Sequence, residues 1–509
     1  MSRPRNILLI TADQWRGDCL SSRGHLCITT PHLDALARDG VTFARHFCQA
    51  VPCGPSRASL HTGLYLMNHR SGTNGTPLDR RHVNWAQVVR GAGYDPVLFG
   101  YTDTSPDPRD YPPDHPALTT YEGVLPGMSV EVLLTTGDIT TWVDWLRARG
   151  VPIPPRPFDL YLRKADQPEY EQGGAHPAPL QLPRELHDTY FMTDRVIEYL
   201  SGRREPWCVH LSLLRPHPPW IAPAPYNQRY APDTLPGFVR ADSPQDEAAQ
   251  HPWLAYQLAD RNYRAPDSQR KLRRLKASYY GLMSEVDDNL GRLFAHLKAT
   301  GQYDDTLIVF TSDHGEQLGD HWLLGKCGYF DQSYHIPLIV RDPRGGADAT
   351  RGSTVTAFTE NVDIMPTLLD WLGVDVPHAC DGESLLPFVE SSGPPAQWRS
   401  EAHWEYDFRD PTDVSAEQAL RIPLHACTLN VIRGERYKYV HFAGLAPLLF
   451  DLVQDPQELH NRANDPSCAP VVLEYAQRML SWRMRHDDQT LTHLTLTADG
   501  VVGRPSRRW

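Results

Sequence analysis

Short apolar runs alternate along this chain with stretches of helical periodicity, and that alternation limits the fold more than any other feature. The runs fall at 6–11 (Asn-Ile-Leu-Leu-Ile-Thr), 96–99, 207–213, 306–311 and 336–340. Such runs have no polar face to give to water, so they belong in a sheet covered on both sides. Leu275, Tyr279, Leu282, Val286, Leu290, Leu293 and Leu297 recur at spacings of three and four, the apolar face of one long helix. Gly301 ends that helix and leads into the run at 306. Pro31 opens a shorter helix, with Leu33 and Leu36 on one face and Gly40 as its stop, and another is read at 85–92. Strands and helices in alternation give an α/β fold, a mostly parallel central sheet flanked by helices.

A chain of 509 residues is long enough for more than one core. From 105 to between 183 and 205 it is rich in Pro, Asp, Gly and Tyr, with helical texture only near 139–149, and reads as an insertion. After Gly373 the strands shorten (437–442, 448–452), and a closing helix at 471–485 precedes a polar tail. These changes divide the chain into a larger α/β domain, 1–375, and a smaller C-terminal α+β domain with antiparallel strands, 376–509.

A formal charge of −12 argues against nucleic acid or an anionic membrane as partner. No apolar run reaches the length of a bilayer span. The first apolar run is too short for a signal peptide and ends in Asp13, so the expected location is cytoplasmic. In a reducing compartment most of the 9 cysteines, which lack metal-finger spacing, serve as small buried hydrophobes.

Two strand ends are acidic: Asp13-Gln14 follows the first run, and Asp313-His314-Gly315 follows the run at 306. In open parallel sheets, reactive groups collect at such ends. Either pair alone is an ordinary cap or turn. Together they offer two carboxylates, an amide oxygen and an imidazole, a donor set suited to Ca²⁺ or Mn²⁺. Cys53-Gly54-Pro55-Ser56-Arg57 is a third motif. A thiolate phosphatase needs Cys and Arg six apart, and here they stand four apart. The C-x-P-S-R string instead resembles the signal by which type I sulfatases have their cysteine oxidised to formylglycine.

Asp13-Gln14, C-x-P-S-R, Arg215-Pro216-His217-Pro218-Pro219, Ser312-Asp313-His314-Gly315-Glu316 and Gly325-Lys326 follow one another in the order found in that family. The chain therefore resembles the type I sulfatases of the alkaline phosphatase superfamily. The Asp-Gln and Asp-His pairs, Asn74, and Leu98-Phe99-Gly100-Tyr101 resemble its phosphonate monoester hydrolase and arylsulfatase branch. The resemblance implies one divalent metal on Asp13, Gln14, residue 53, Asp313 and His314. It implies catalytic roles for Cys53 as formylglycine, Arg57, His217 and Lys326, and substrate contacts from Asn74, Tyr101, Asp103, His217 and Lys326. One hydroxyl of the hydrated aldehyde would attack sulfur or phosphorus, His217 or Lys326 would protonate the leaving alcohol, and the second hydroxyl would release the product. Sulfate monoesters of the aryl type are the expected substrates, with promiscuity toward phosphonate monoesters and phosphodiesters; the alternative is phosphonate or diester hydrolysis as the primary activity. One departure stands out: Asp103 occupies a position where the phosphonate hydrolases carry threonine. The implied partners are a small anionic ester, a formylglycine-generating enzyme, and further copies of the chain (dimer or tetramer). The tail from 490, ending in Trp509, is expected to pack on a neighbouring copy.

Overall fold

The computed structural model describes residues 5–164, 176–390 and 395–503. Residues 1–4 and 504–509, with Arg507, Arg508 and Trp509, lie outside the described residues.

A 9-stranded sheet forms the centre. Its strands are β1 (Asn6–Ala12), β2 (Val41–Phe47), β3 (Pro96–Gly100), β4 (Ser129–Leu133), β5 (Cys208–Leu213), β6 (Thr306–Thr311), β7 (His335–Ile336), β8 (Leu338–Arg341) and β9 (Thr354–Glu360). Their order is β4-β3-β5-β1-β6-β8-β2-β7, with β9 paired to β2. The block β4-β3-β5-β1-β6 is parallel throughout, and Thr11 of β1 lies level with Ser212 of β5 and Thr311 of β6. Antiparallel pairing begins at β8. The run read at 336–340 is two strands, because Pro337 between them has no N–H for a ladder.

The long helix, Gln269–Ala299, lays the face read from its periodicity on this sheet, beside helix Asp188–Leu200. Phe191, Met192 and Val196 of the latter share a core with Tyr279, Leu282, Val286 and Leu290. That helix and β4 both come from the stretch read as an insertion, so part of it is woven into the sheet and its cover. The other face of the sheet is covered by helix Ile364–Leu372, with Leu368 and Leu369 against Leu9 and Val309.

A second, antiparallel sheet follows: β10 (Ala402–Asp407), β11 (Thr428–Arg433), β12 (Tyr437–Phe442) and β13 (Leu448–Asp451). Helix Ala469–Arg485 closes it, Tyr475 and Met479 packing on Ile432, Tyr439 and Leu449. Within the tail, β14 (Leu494–Thr497) and β15 (Gly500–Gly503) form a hairpin where only polar chain was expected. Among the described residues, no helix is long and apolar enough to cross a membrane.

Candidate active site

Four neighbouring strands, β3, β5, β1 and β6, deliver their C-terminal ends to one place. Asp13 follows β1 and Asp313 follows β6, so two strands in register bring two carboxylates together. Arg215 and His217 leave β5, and Tyr101 leaves β3 through Gly100. Gly100 sits at φ 112°, and a Cβ there would stand 2.0 Å from the Ser212 carbonyl oxygen, so the crossing under β5 admits no side chain. Cys53 is the first residue of the buried helix Cys53–Thr62, whose N-terminal end favours negative charge.

Donor atoms of Asp13, Cys53, Asp313 and His314 all lie within 4.8 Å of one another. Cys53 Sγ is 3.2 Å from His314 Nε2. His314 Nδ1 donates to the Gly315 carbonyl at 3.0 Å, which leaves Nε2 as the lone-pair nitrogen. Burial, with Lys326 nearby, lowers His314 to about 3 and keeps it neutral. Burial would raise Asp13, but His217, Lys326 and Arg57 hold it well below the usual carboxylate range. Burial and the adjacent Asp13 push Asp313 up to about 7. Asp13 Oδ1 is buried with no hydrogen-bond partner among the described residues. An orphaned anionic oxygen beside a second carboxylate, a neutral imidazole and the Gln14 amide fits a hard divalent cation.

Arg57 is 1% exposed and fully committed. Its Nε donates to Asp313 Oδ2 and one Nη to Asp13 Oδ2, each at 3.0 Å; the other Nη donates to Ser212 Oγ at 2.8 Å. It aligns the two carboxylates and does not point outward. Tyr101, expected to touch substrate, gives its hydroxyl proton to Asp13 Oδ2 and stacks its ring on Arg57. Asn74 Oδ1 accepts the Gly54 N–H at 2.9 Å, which leaves its amino group as the donor end. Lys326 stays charged: against burial, Cys53 and Asp13 hold its ammonium above the ordinary value. Its Nζ donates to Gln14 Oε1 at 2.8 Å. His217 Nδ1 donates to the Pro218 carbonyl at 2.8 Å, and burial with Lys326 nearby lowers the ring to about 3. Asp103 is buried, with Oδ1 unpartnered among the described residues and Oδ2 3.9 Å from Arg57 Nε; burial pushes it up to about 8.

Three supporting groups escaped the sequence reading, and a fourth, Glu316, was expected only in a structural or supporting role. Ser212 Oγ anchors Arg57. The Tyr279 hydroxyl donates to the Gln14 carbonyl at 2.7 Å, although its place on the apolar helix face marked it only as core. Asp188 holds Arg215, which in turn donates to the His217 carbonyl at 2.7 Å. Glu316 accepts from the Gln14 amide; its place in the Ser312–Glu316 motif was the only signal.

Residues 5–374 match the Sulfatase family. The chain belongs to the sulfatase family. Residues 319–485 also match the C-terminal region of N-sulphoglucosamine sulphohydrolase. The multifunctional alkaline phosphatase superfamily protein PehA of Trinickia caryophylli is 44% identical, over 98% of this chain and 99% of its own. The phosphonate monoester hydrolase of Agrobacterium radiobacter is 47% identical with a TM-score of 0.92, over 99% of this sulfatase-family chain and 100% of its own. An arylsulfatase of Clostridium perfringens is 27% identical over 90% of each. The chain is a hydrolase, and its fold is that of the sulfatases.

Proposed function

We propose that this hydrolase cleaves esters carrying a single negative charge: phosphonate monoesters, phosphodiesters and sulfate monoesters. The observation that carries the reading is Cys53 at a helix N-terminus inside the Asp13, Asp313 and His314 donor cluster, with Asp13 Oδ1 left unpartnered. As a thiol Cys53 is inert, because burial and Asp13 push it far above its ordinary value. That state suits a residue awaiting conversion by a maturation enzyme better than a working thiolate. As formylglycine hydrate, residue 53 would supply two hydroxyls on one carbon, one able to attack and one able to release the product.

Asp13, Gln14, Asp313, His314 and the oxygen of residue 53 would hold one Ca²⁺ or Mn²⁺. When bound, the cation lowers the pKa of a hydroxyl and offsets charge on ester oxygens. The chain's own part is positioning and charge. Lys326 brings an ammonium and Asn74 an amino group to the nonbridging oxygens. Arg57 keeps Asp13 and Asp313 aligned. Lys326 already carries a proton for the leaving alcohol, whereas neutral His217 offers a lone pair at Nε2 and serves as acid only after taking up a proton.

The phosphonate monoester hydrolases of Agrobacterium radiobacter and Silicibacter pomeroyi, the latter 40% identical with a TM-score of 0.92, support phosphonate as the primary substrate. Asp103 in place of threonine supports the second reading, sulfate monoesters first. Steady-state kinetics on matched nitrophenyl esters, with the intact mass of the Cys53 peptide, test the proposal. A thiol at residue 53 in active enzyme, or a phosphate monoester ranking first, overturns it.

A further inference from the structure

We infer that Glu316 is a positioning residue that fixes which end of the Gln14 side chain faces the cation site. The inference rests on reading Gln14 as a ligand and adds the means by which an amide serves there. A carboxylate presents oxygen whichever way it turns. A glutamine presents either oxygen or NH₂, and its two orientations have almost the same shape. Only the oxygen can ligate a cation, and an inward NH₂ would repel one.

The rest of Gln14 has little freedom. Its backbone sits at φ 69°, its N–H donates to Asp313 Oδ1 at 3.1 Å, and its carbonyl accepts from the Tyr279 hydroxyl at 2.7 Å. What remains is the turn of the terminal amide, clamped at both ends. Lys326 Nζ, which has only protons to give, meets Gln14 Oε1 at 2.8 Å. Gln14 Nε2 donates to Glu316 Oε2. A carbonyl oxygen has two lone pairs, so the one Lys326 leaves is available to the cation.

Glu316 is itself immobile. It is fully buried, and Oε1 accepts the N–H groups of Leu318 at 2.8 Å and Gly325 at 2.7 Å. Gly325 precedes Lys326, so one carboxylate sets both the turn presenting the lysine and the orientation of Gln14. A partner of this kind is worth about 10- to 100-fold in metal affinity.

The test uses the full-length chain, stripped with chelator and titrated calorimetrically with Mn²⁺ and, separately, Ca²⁺. Glu316→Gln keeps the shape and the acceptor for Leu318 and Gly325, but turns an NH₂ toward Gln14. Gln14 must then reverse and point its own NH₂ at Lys326 and the cation. Affinity is expected to fall about tenfold or more, while thermal unfolding of the metal-free protein stays near wild type. The paired exchange Gln14→Glu with Glu316→Gln swaps acceptor and donor, presents oxygen to the cation again, and is expected to restore affinity. Unchanged affinity in Glu316→Gln, or no recovery in the exchange, overturns the inference while leaving the metal reading intact. If Glu316→Gln fails to fold, a neutron structure of the metal-bound wild type decides: Gln14 Oε1 on the ion with its NH₂ on Glu316 supports the inference, and any other partner for that NH₂ overturns it. A wild-type chain that binds neither ion overturns the metal reading itself, and the inference with it.

Discussion

Cys53 and Asp103 are the two side chains whose replacement separates the chemistry from its setting. Cys53→Ser keeps a small polar group at the helix start, so the fold should persist. A serine adduct has no second hydroxyl with which to expel the product, so one equivalent should be released in a burst and turnover should then almost stop. Steady multiple turnover near the wild-type rate would remove the formylglycine reading. Asp103 bears on which ester is preferred. Burial pushes it up to about 8, so its charge grows in as pH rises through that value. Repulsion of anionic esters then increases, and doubly charged phosphate monoesters should suffer most. Asp103→Thr should flatten that pH dependence and, above pH 8, raise activity on doubly charged phosphate monoesters relative to singly charged esters by about tenfold, roughly 1.4 kcal/mol, read as kcat/KM on paired esters. No change in the variant would discard the charge argument. Most of the candidate site was legible residue by residue: Asp13, Gln14, Cys53, Asp313, His314 and Lys326 stand in short motifs, and the fold brings them together. The commitments of Arg57 and Tyr101 were not, because they depend on where four strand ends converge rather than on local spacing.

At the scale of elements, the strands legible in the sequence were those dominated by apolar residues in the central sheet, β1, β3, β5, β6 and the run that divides into β7 and β8, with β12 and β13 in the second sheet. β2 and β9 escaped because each mixes polar residues into its run. In β2 these include Arg45 and a buried His46, whose partners Thr359 and Asn361 lie more than three hundred residues away. That pairing also reaches the site, since Asn361 donates to the Ser312 carbonyl at 3.1 Å, next to Asp313. Burial lowers His46, His69 and His210 to about 3 and His403 to about 4, so all four are neutral in the folded chain. Each sits below its unfolded value near 6.5, so the unfolded chain binds more protons whenever the pH falls below that. The part of stability that these histidines supply is therefore full above pH 6.5 and declines toward pH 4 by ~1.4 kcal/mol per pH unit for each, while Asp103 and Asp313, which burial pushes up, act in the opposite sense. Thermal unfolding between pH 7 and pH 5 checks this, and His46→Asn should show a shallower decline. Equal slopes for wild type and variant would mean that His46 is not held neutral.

At the scale of the whole molecule, apolar surface gathers at the C-terminal end. Every residue of β14 and β15 is exposed, with Leu496 at 82% and Val501 at 63%. Helix Ala469–Arg485 turns Leu473, Leu480 and Met484 outward on the side away from its own sheet. A two-stranded hairpin with no core of its own is marginal in water, and an exposed apolar helix stripe is a cost to any monomer. Both belong to one chain, so a two-fold arrangement would let the hairpin of each copy cover an apolar patch of the other, burying two equivalent surfaces at once. We expect a dimer or tetramer by light scattering. Leu496→Asp with Val501→Asp should shift the population to monomer without unfolding the sheet core, because both side chains stand mostly in solvent. Thermal unfolding and scattering on the same sample separate the two effects. A monomeric wild type would mean that the hairpin stands free, and the exposed leucines of the C-terminal helix would then need a different partner.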